Sequence, residues 1–374
     1  NTLNDLTMSC PLAIINPAIF EDTEDLSYGT AFQTASFGTG PYMYDGSFAN
    51  NTYTFVRNPY YWGEAPEVDV FKVKVIEDND AKLLALRNGE IDAVLGSGHM
   101  SFDGYSELSA DEAFKTGMNE RVGLTRYLGM NVTAAPFDDL LVRQAVSYAI
   151  DQSALEMSVF NGLETAAETL FPTSAPYCDV ELTTYETDLD KANQLLEDAG
   201  WTDTDGDGVR EKDGVPFEVD LNYMTSLANV DNAALAIAGQ LAQIGIKVNV
   251  ISGDMMTYYA AMGTSPLLLA NTYGGAFDPS TVVTNMNPAV STDPLSVQYV
   301  SFFEKGILEE LDATADMDRV QEIYKHVLTT IADQALLVPL TRSHEVGIWN
   351  SAVIDSYDFY IDPSYTVVSE IHMK

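Results

Sequence analysis

Asp203-Thr204-Asp205-Gly206-Asp207-Gly208 is the segment whose residue types and spacing could do chemistry. Three carboxylates fall at alternate positions and a glycine stands where a sharp turn is needed, as at positions 1, 3, 5 and 6 of a calcium loop. Glu211 occupies position 9, but Gly214 replaces the bidentate Glu of position 12. Without those two oxygens affinity falls. The segment fits a weak structural Ca2+ site, with Asp203, Asp205 and Asp207 as ligands, and an unfilled acidic hairpin turn equally well. Filled, it would brace a loop rather than perform chemistry, and no cofactor is required.

Other chemical signatures break down on inspection. Gly38-Thr39-Gly40 opens like a dinucleotide fingerprint, but Met43 stands where its third glycine belongs, so the close helix approach to a pyrophosphate is not provided. His344-Glu345 opens like a zinc-protease helix, yet Ile348 replaces the second histidine, and His99, His326 and His372 show no ligand spacing. No serine sits in a GxSxG elbow. An enzyme would need a nucleophile or a metal cluster, and the residues show neither. Cys10 and Cys178 lie far apart in sequence; two unpaired thiols are expected, with a single disulfide as the alternative.

The 374 residues are 46% hydrophobic, enough for a full core and long enough for two domains. Lys plus Arg number 18 against 56 Asp plus Glu, a formal charge of -38 that repels nucleic acid and argues for a solvated acidic surface. No apolar run reaches the ~18 residues that span a bilayer, and no charged-then-apolar leader stands at Asn1.

The elements that must position any site alternate between strand and helix. Residues 52–57 and 68–76 alternate as strands; Asp78 to Arg87 carries Ala81, Leu84 and Ala85 at helical spacing, stopped by Asn88-Gly89; residues 91–95 return to strand. A second block starts with a strand near 125–131, followed by a helix through Val142, Ala145, Val146 and Ala149 that Asp138 is placed to cap. Helices are expected at 188–199, 232–243, 255–262, 295–311 and 317–331, and strands at 217–223, 246–251, 266–270, 335–340 and 346–349. This rhythm is α/β. Without a flexible linker, two lobes must be joined by short strands near Tyr127 to Asn131 and Leu340 to His344. Asn271 to Pro279 follows the buried strand 266–270, and ligands of open α/β sheets bind beyond strand carboxyl ends.

Three phrases at fixed spacing carry a resemblance: Gly38-Thr39-Gly40-Pro41-Tyr42, Asn58-Pro59-Tyr60-Tyr61-Trp62-Gly63, and Leu86-Arg87-Asn88-Gly89-Glu90-Ile91-Asp92-Ala93-Val94. The chain resembles the extracytoplasmic solute-binding proteins of ABC importers, family 5, which capture peptides and nickel complexes. Thr169-Leu170-Phe171-Pro172, Pro176-Tyr177 and Arg210-Glu211-Lys212-Asp213-Gly214 extend the likeness over nearly the whole chain, and the short spacing from Tyr273 to Asp278-Pro279 looks like the nickel-complex binders.

The resemblance implies a two-lobed α/β fold of the periplasmic-binding-protein type (type II, cluster C), each lobe a mixed sheet flanked by helices. Residues 1–123 plus 345–374 would form one lobe and 124–344 the other. It implies capture of a peptide or a metal complex such as a nickel chelate between the lobes, and delivery to an ABC permease in the membrane. The protein would be a monomer outside the cytoplasm, periplasmic or lipid-anchored, and no enzyme. Because Met8-Ser9-Cys10-Pro11-Leu12 matches a stretch that lies well inside the family's proteins, the first quarter, with any export signal, is expected to be missing. Cys10, Tyr273, Phe277 and Ser291 would line the site, Tyr273 and Phe277 as apolar walls, with Asp278 holding the loop. Cys10 stands where the family's chelator-gripping arginine belongs and Ser291 where its metal-binding histidine belongs, which argues against an anionic chelate held in the nickel-protein manner. A ligand-binding sensor or surface adhesin, or a hydrolase on this scaffold, are the alternatives.

Overall fold

The computed structural model describes residues 38–225, 229–272, 279–360 and 366–374. Among them the chain divides into two compact units, one formed by 120–344 and the other by 38–119 with 345–374. Two long strands, Phe114–Met130 and Leu337–Asn350, run from one unit into the other and are neighbours in one sheet.

In the smaller unit, Tyr42–Ala49, Thr52–Arg57 and Val70–Lys74 form an antiparallel sheet. Asn50 and Asn51 make the hairpin turn with φ of 52° and 56°, the left-handed pair that matches strand twist. Phe55 stacks on its register partner Phe71 with centroids 4.8 Å apart. The strand Tyr42–Ala49 has no clean alternation because the register shifts between Tyr44 and Phe48, around Asp45-Gly46-Ser47. Helix Asn79–Arg87 starts where Asp78 accepts the Ala81 N–H at 2.7 Å and ends before Gly89 at φ 70°. The strands on either side of this helix belong to different sheets, since Ala93–Leu95 pairs with Gly347 to Trp349. A further helix, Phe102–Ser109, buries Phe102, Tyr105 and Leu108 on one face.

In the larger unit the strand order is Lys247–Gly253, Glu218–Met224, Leu267–Asn271, then Arg126 to Met130. The first three are parallel to one another and the last antiparallel, so the sheet is mixed, as expected. Leu267, Leu268, Leu269 and Ala270 are all buried, so this strand is covered on both faces. Helix Met317–Asp333 adds Ile323, Tyr324, Val327, Leu328 and Ile331 to the same core, one stripe at helical spacing. Each such fully buried aliphatic contributes about 1.5–3 kcal/mol.

Three expectations are corrected. The cap of helix Leu140–Ala149 is Asp139, whose carboxylate accepts the Leu141 N–H at 2.9 Å; Asp138 instead offers its backbone carbonyl to Arg143. Residues 295–311 are not one helix: Pro294–Val297 passes into a 3-10 turn, Gln298–Phe302, and Ile307–Ala313 begins only after Gly306 at φ 85°. Finally, the strand expected at 335–340 begins only at Leu337 and runs on unbroken through 346–349 as the single strand Leu337–Asn350. No helix among the described residues is long and apolar enough to cross a membrane.

Candidate functional site

Cys10, Tyr273, Phe277 and Asp278 lie outside the described residues; Ser291 is within them. Its hydroxyl oxygen accepts the Asp293 N–H at 3.1 Å, and Asp293 caps the following helix through Leu295 N–H at 3.0 Å and Ser296 Oγ at 2.7 Å. Ser291 therefore sits in a tightly bonded turn.

The chain just before 273–278 is firmly held. Thr272 donates its N–H to the Thr125 carbonyl at 2.8 Å, and its hydroxyl oxygen accepts the Thr125 N–H at 3.0 Å. One residue earlier, Asn271 Oδ1 lies 3.5 Å from Arg126 Nη1. Arg126 and Glu164 form a buried fork, with Nη2 to Oε1 at 2.7 Å and Nε to Oε2 at 3.3 Å. Their side chains are 9% and 3% exposed, so the desolvation cost is large and only this geometry offsets it. Thr341 donates to the second Glu164 oxygen, and the Phe160 ring lies 5.1 Å under the guanidinium. Sequence reading missed this pair, whose only local signal is a charged residue inside a buried strand.

Asp203, Asp205, Asp207 and Glu211 each offer one carboxylate oxygen, all within 4.8 Å of one another, the one such cluster of metal-ligand types among the described residues. Asp203 also accepts the N–H groups of Gly206 at 2.7 Å and Gly208 at 3.1 Å, with both glycines at positive φ. Glu211 accepts from Thr204 N–H and Oγ1 at 2.9 and 2.8 Å. The sequence thus brings together the three aspartates and Glu211, in an exposed turn.

Cys178 is a buried free thiol, its pKa pushed up to about 12 by burial, with Sγ 3.3 Å from the Pro176 carbonyl. A thiol held this far from ionisation is a space-filling group rather than a nucleophile. The described histidines are dispersed: burial lowers the pKa of His99, His326 Nε2 accepts the Glu304 N–H, and His344 Nε2 lies 3.3 Å from Thr165 Oγ1. His372 lies between Glu67 and Asp358.

Residues 5–292 match the family described as bacterial extracellular solute-binding proteins, family 5 Middle. The chain belongs to this family. Among curated relatives, the family 5 chain is 31% identical over 345 residues to the nickel-binding periplasmic protein of Escherichia coli, covering 91% of this chain and 65% of that protein. It is 29% identical over 246 residues to the oligopeptide-binding protein OppA of Lactococcus lactis, covering 63% of this chain and 41% of OppA. The chain therefore spans less than two thirds of the length of these relatives. Among solved structures, NikA from Brucella suis in complex with Fe(III)-EDTA superposes with a TM-score of 0.84 at 28% identity, over 90% of this chain and 68% of NikA. The family is extracytoplasmic, and the fold shared with these proteins is the expected mixed α/β one.

Proposed function

We propose that this chain is part of the substrate-binding component of an ABC importer that captures a small solute, a peptide or a metal complex, and presents it to a membrane permease. The observation that carries the reading is the family 5 match across residues 5–292, together with relatives named for nickel and for oligopeptides. The two units would be the lobes. Cys10, Tyr273, Phe277 and Ser291 are proposed ligand residues, and the full protein is proposed to act as a monomer, periplasmic or lipid-anchored, without catalysis. Ligand affinity would come from differential binding to the closed state, which a permease then recognises.

Calcium in the Asp203–Glu211 turn is proposed as a weak structural ion, since four converging carboxylates repel one another until a cation intervenes. A thermal-stability panel tests both proposals, because a ligand that binds the native state raises the melting midpoint. The probes are Ni2+ with and without L-histidine, short peptides, and Ca2+ against Mg2+. A rise with a nickel complex or a peptide supports solute capture, and a flat response to all of them overturns it. Millimolar Ca2+ should raise the midpoint of the wild type and not of Asp203→Asn; an equal response in the two discards the calcium reading.

A further inference from the structure

Two open sheet edges lie in the smaller unit. Val70–Lys74 ends the three-stranded antiparallel sheet and Ala93–Leu95 ends the seven-stranded one; among the described residues no strand pairs with the outer edge of either. Helix Asn79–Arg87 connects the two, so residues 70–95 form a strand, helix, strand crossover. Such a connection returns the chain parallel to its first strand and within the same sheet. Here it joins two separate sheets.

The register shows which backbone groups face each opening. Arg57 N–H donates to the Asp69 carbonyl at 2.9 Å and Val75 N–H to the Asn51 carbonyl at 2.7 Å, so the bonded pairs alternate through 71 and 73. The amides of Val70, Lys72 and Lys74 therefore point outward. On the other strand, Gly96 N–H donates to the Val346 carbonyl at 2.8 Å and Asn350 N–H to the Asp92 carbonyl at 2.9 Å, which turns the amides of Ala93 and Leu95 outward. An edge of this kind is a template for a further strand unless charge or a bulge blunts it. Lys72 and Lys74 charge one edge, but Val70 and Val73 stand 51% and 47% exposed beside them, and Ala93–Leu95 carries no charge. Phe48 and Tyr53, in line with Val73 across the sheet, are exposed too.

A single strand between the two edges would pair with both and make the crossover an ordinary one that steps over one neighbour. Doubly wound sheets do this with a strand laid down earlier in the chain, as in the order 2-1-3. Chain of that kind is available: this sequence covers 68% of NikA at a TM-score of 0.84, so the remainder of NikA has no counterpart in it.

We propose that a strand from the part of the full-length protein preceding these 374 residues seats between Val70–Lys74 and Ala93–Leu95 and joins the two sheets into one. It accepts from the five outward amides and supplies the first cover for the valines beside them.

Residue-resolved hydrogen exchange on the natural full-length protein, without added solute, tests the assignment. The amides of Val70, Lys72, Lys74, Ala93 and Leu95 should exchange at least about a hundredfold more slowly than an open chain, as paired strands do. Open-chain rates at these five overturn it. Protection that needs an added peptide, or that varies with protein concentration, also overturns it, by giving the edges to a peptide or to a second copy. Lys72→Pro removes one outward N–H, which an open edge tolerates and a filled one does not. It should lower the melting midpoint by several degrees where Lys72→Ala does not, and equal midpoints in the two count against a seated strand. A photo-crosslinking residue at Val73 should capture a peptide that precedes residue 1; crosslinks confined to the 374 residues, or between two copies, overturn the choice of occupant.

Discussion

Arg126 and Glu164 show how a single pair can hold a region in place. Both charges are nearly out of water, so each depends on the other for its solvation. Arg126→Leu should cost about 3–5 kcal/mol by stranding the Glu164 carboxylate. The double variant Arg126→Met with Glu164→Leu should regain most of that loss, and urea midpoints of the three proteins decide it; equal losses in single and double variants would mean the pair is not the source. His372 is a milder case at the surface. Hydrogen bonds first to Glu67 and then to Asp358 raise its pKa, while the bond from His372 lowers that of Glu67. The histidine contribution is therefore complete below its unfolded value of 6.5 and fades as pH rises through the raised folded value. The Glu67 contribution is present above 4.5 and fades as pH falls through its depressed value. The C-terminal strand Ile371–Met373 should thus be held best between those two values. Amide exchange of Met373, which donates its N–H to Glu67 at 3.0 Å, should quicken above the histidine titration in the wild type and show no such step in His372→Gln.

At the scale of elements, local chemistry was readable wherever a short-range rule decides the outcome. The helices Asn79–Arg87, Leu189–Asp198, Met255–Ala261 and Met317–Asp333 lie where their spacing put them, and the structure adds what was not read, that Asp78, Asp188 and Asp254 cap the first three through N–H groups three residues on. Asp138 and Asp139 mark the limit of that reading, because adjacent carboxylates look alike until the backbone chooses one. Asp139→Ala should destabilise by about 1 kcal/mol, whereas Asp138→Ala should stay within about 0.5 kcal/mol. Chemical denaturation of the two variants tests the choice, and the reverse order would reinstate Asp138. What the sequence hid is long-range. The strand Leu337–Asn350 looks broken at its polar centre because the partners that satisfy Thr341, Arg342 and Ser343 lie 177, 173 and 219 residues away. The same blindness applied at the candidate site: Arg126 has no local signature inside its strand, because the Glu164 carboxylate that pairs with it lies 38 residues further along the chain.

For the whole molecule, a formal charge of -38 means that folding gathers like charges into a smaller volume. The 18 basic residues cannot neutralise it, and most of the described ion pairs are exposed and individually weak. Self-repulsion should then be a general load on the folded state, relieved by screening rather than by any one contact. Raising NaCl from about 10 mM to about 150 mM shortens the Debye length from roughly 30 Å to roughly 8 Å, enough to uncouple charges across a lobe. The melting midpoint should climb over that range, equally in NaCl and KCl, because the effect is of ionic strength and not of a bound ion. The buried Arg126–Glu164 pair is screened far less, so Arg126→Leu should show the same upward salt slope as the wild type from a lower starting point. A flat or falling midpoint would place the stabilising balance in local pairs, and a slope lost in Arg126→Leu would assign the salt effect to that one fork instead of to the acidic surface.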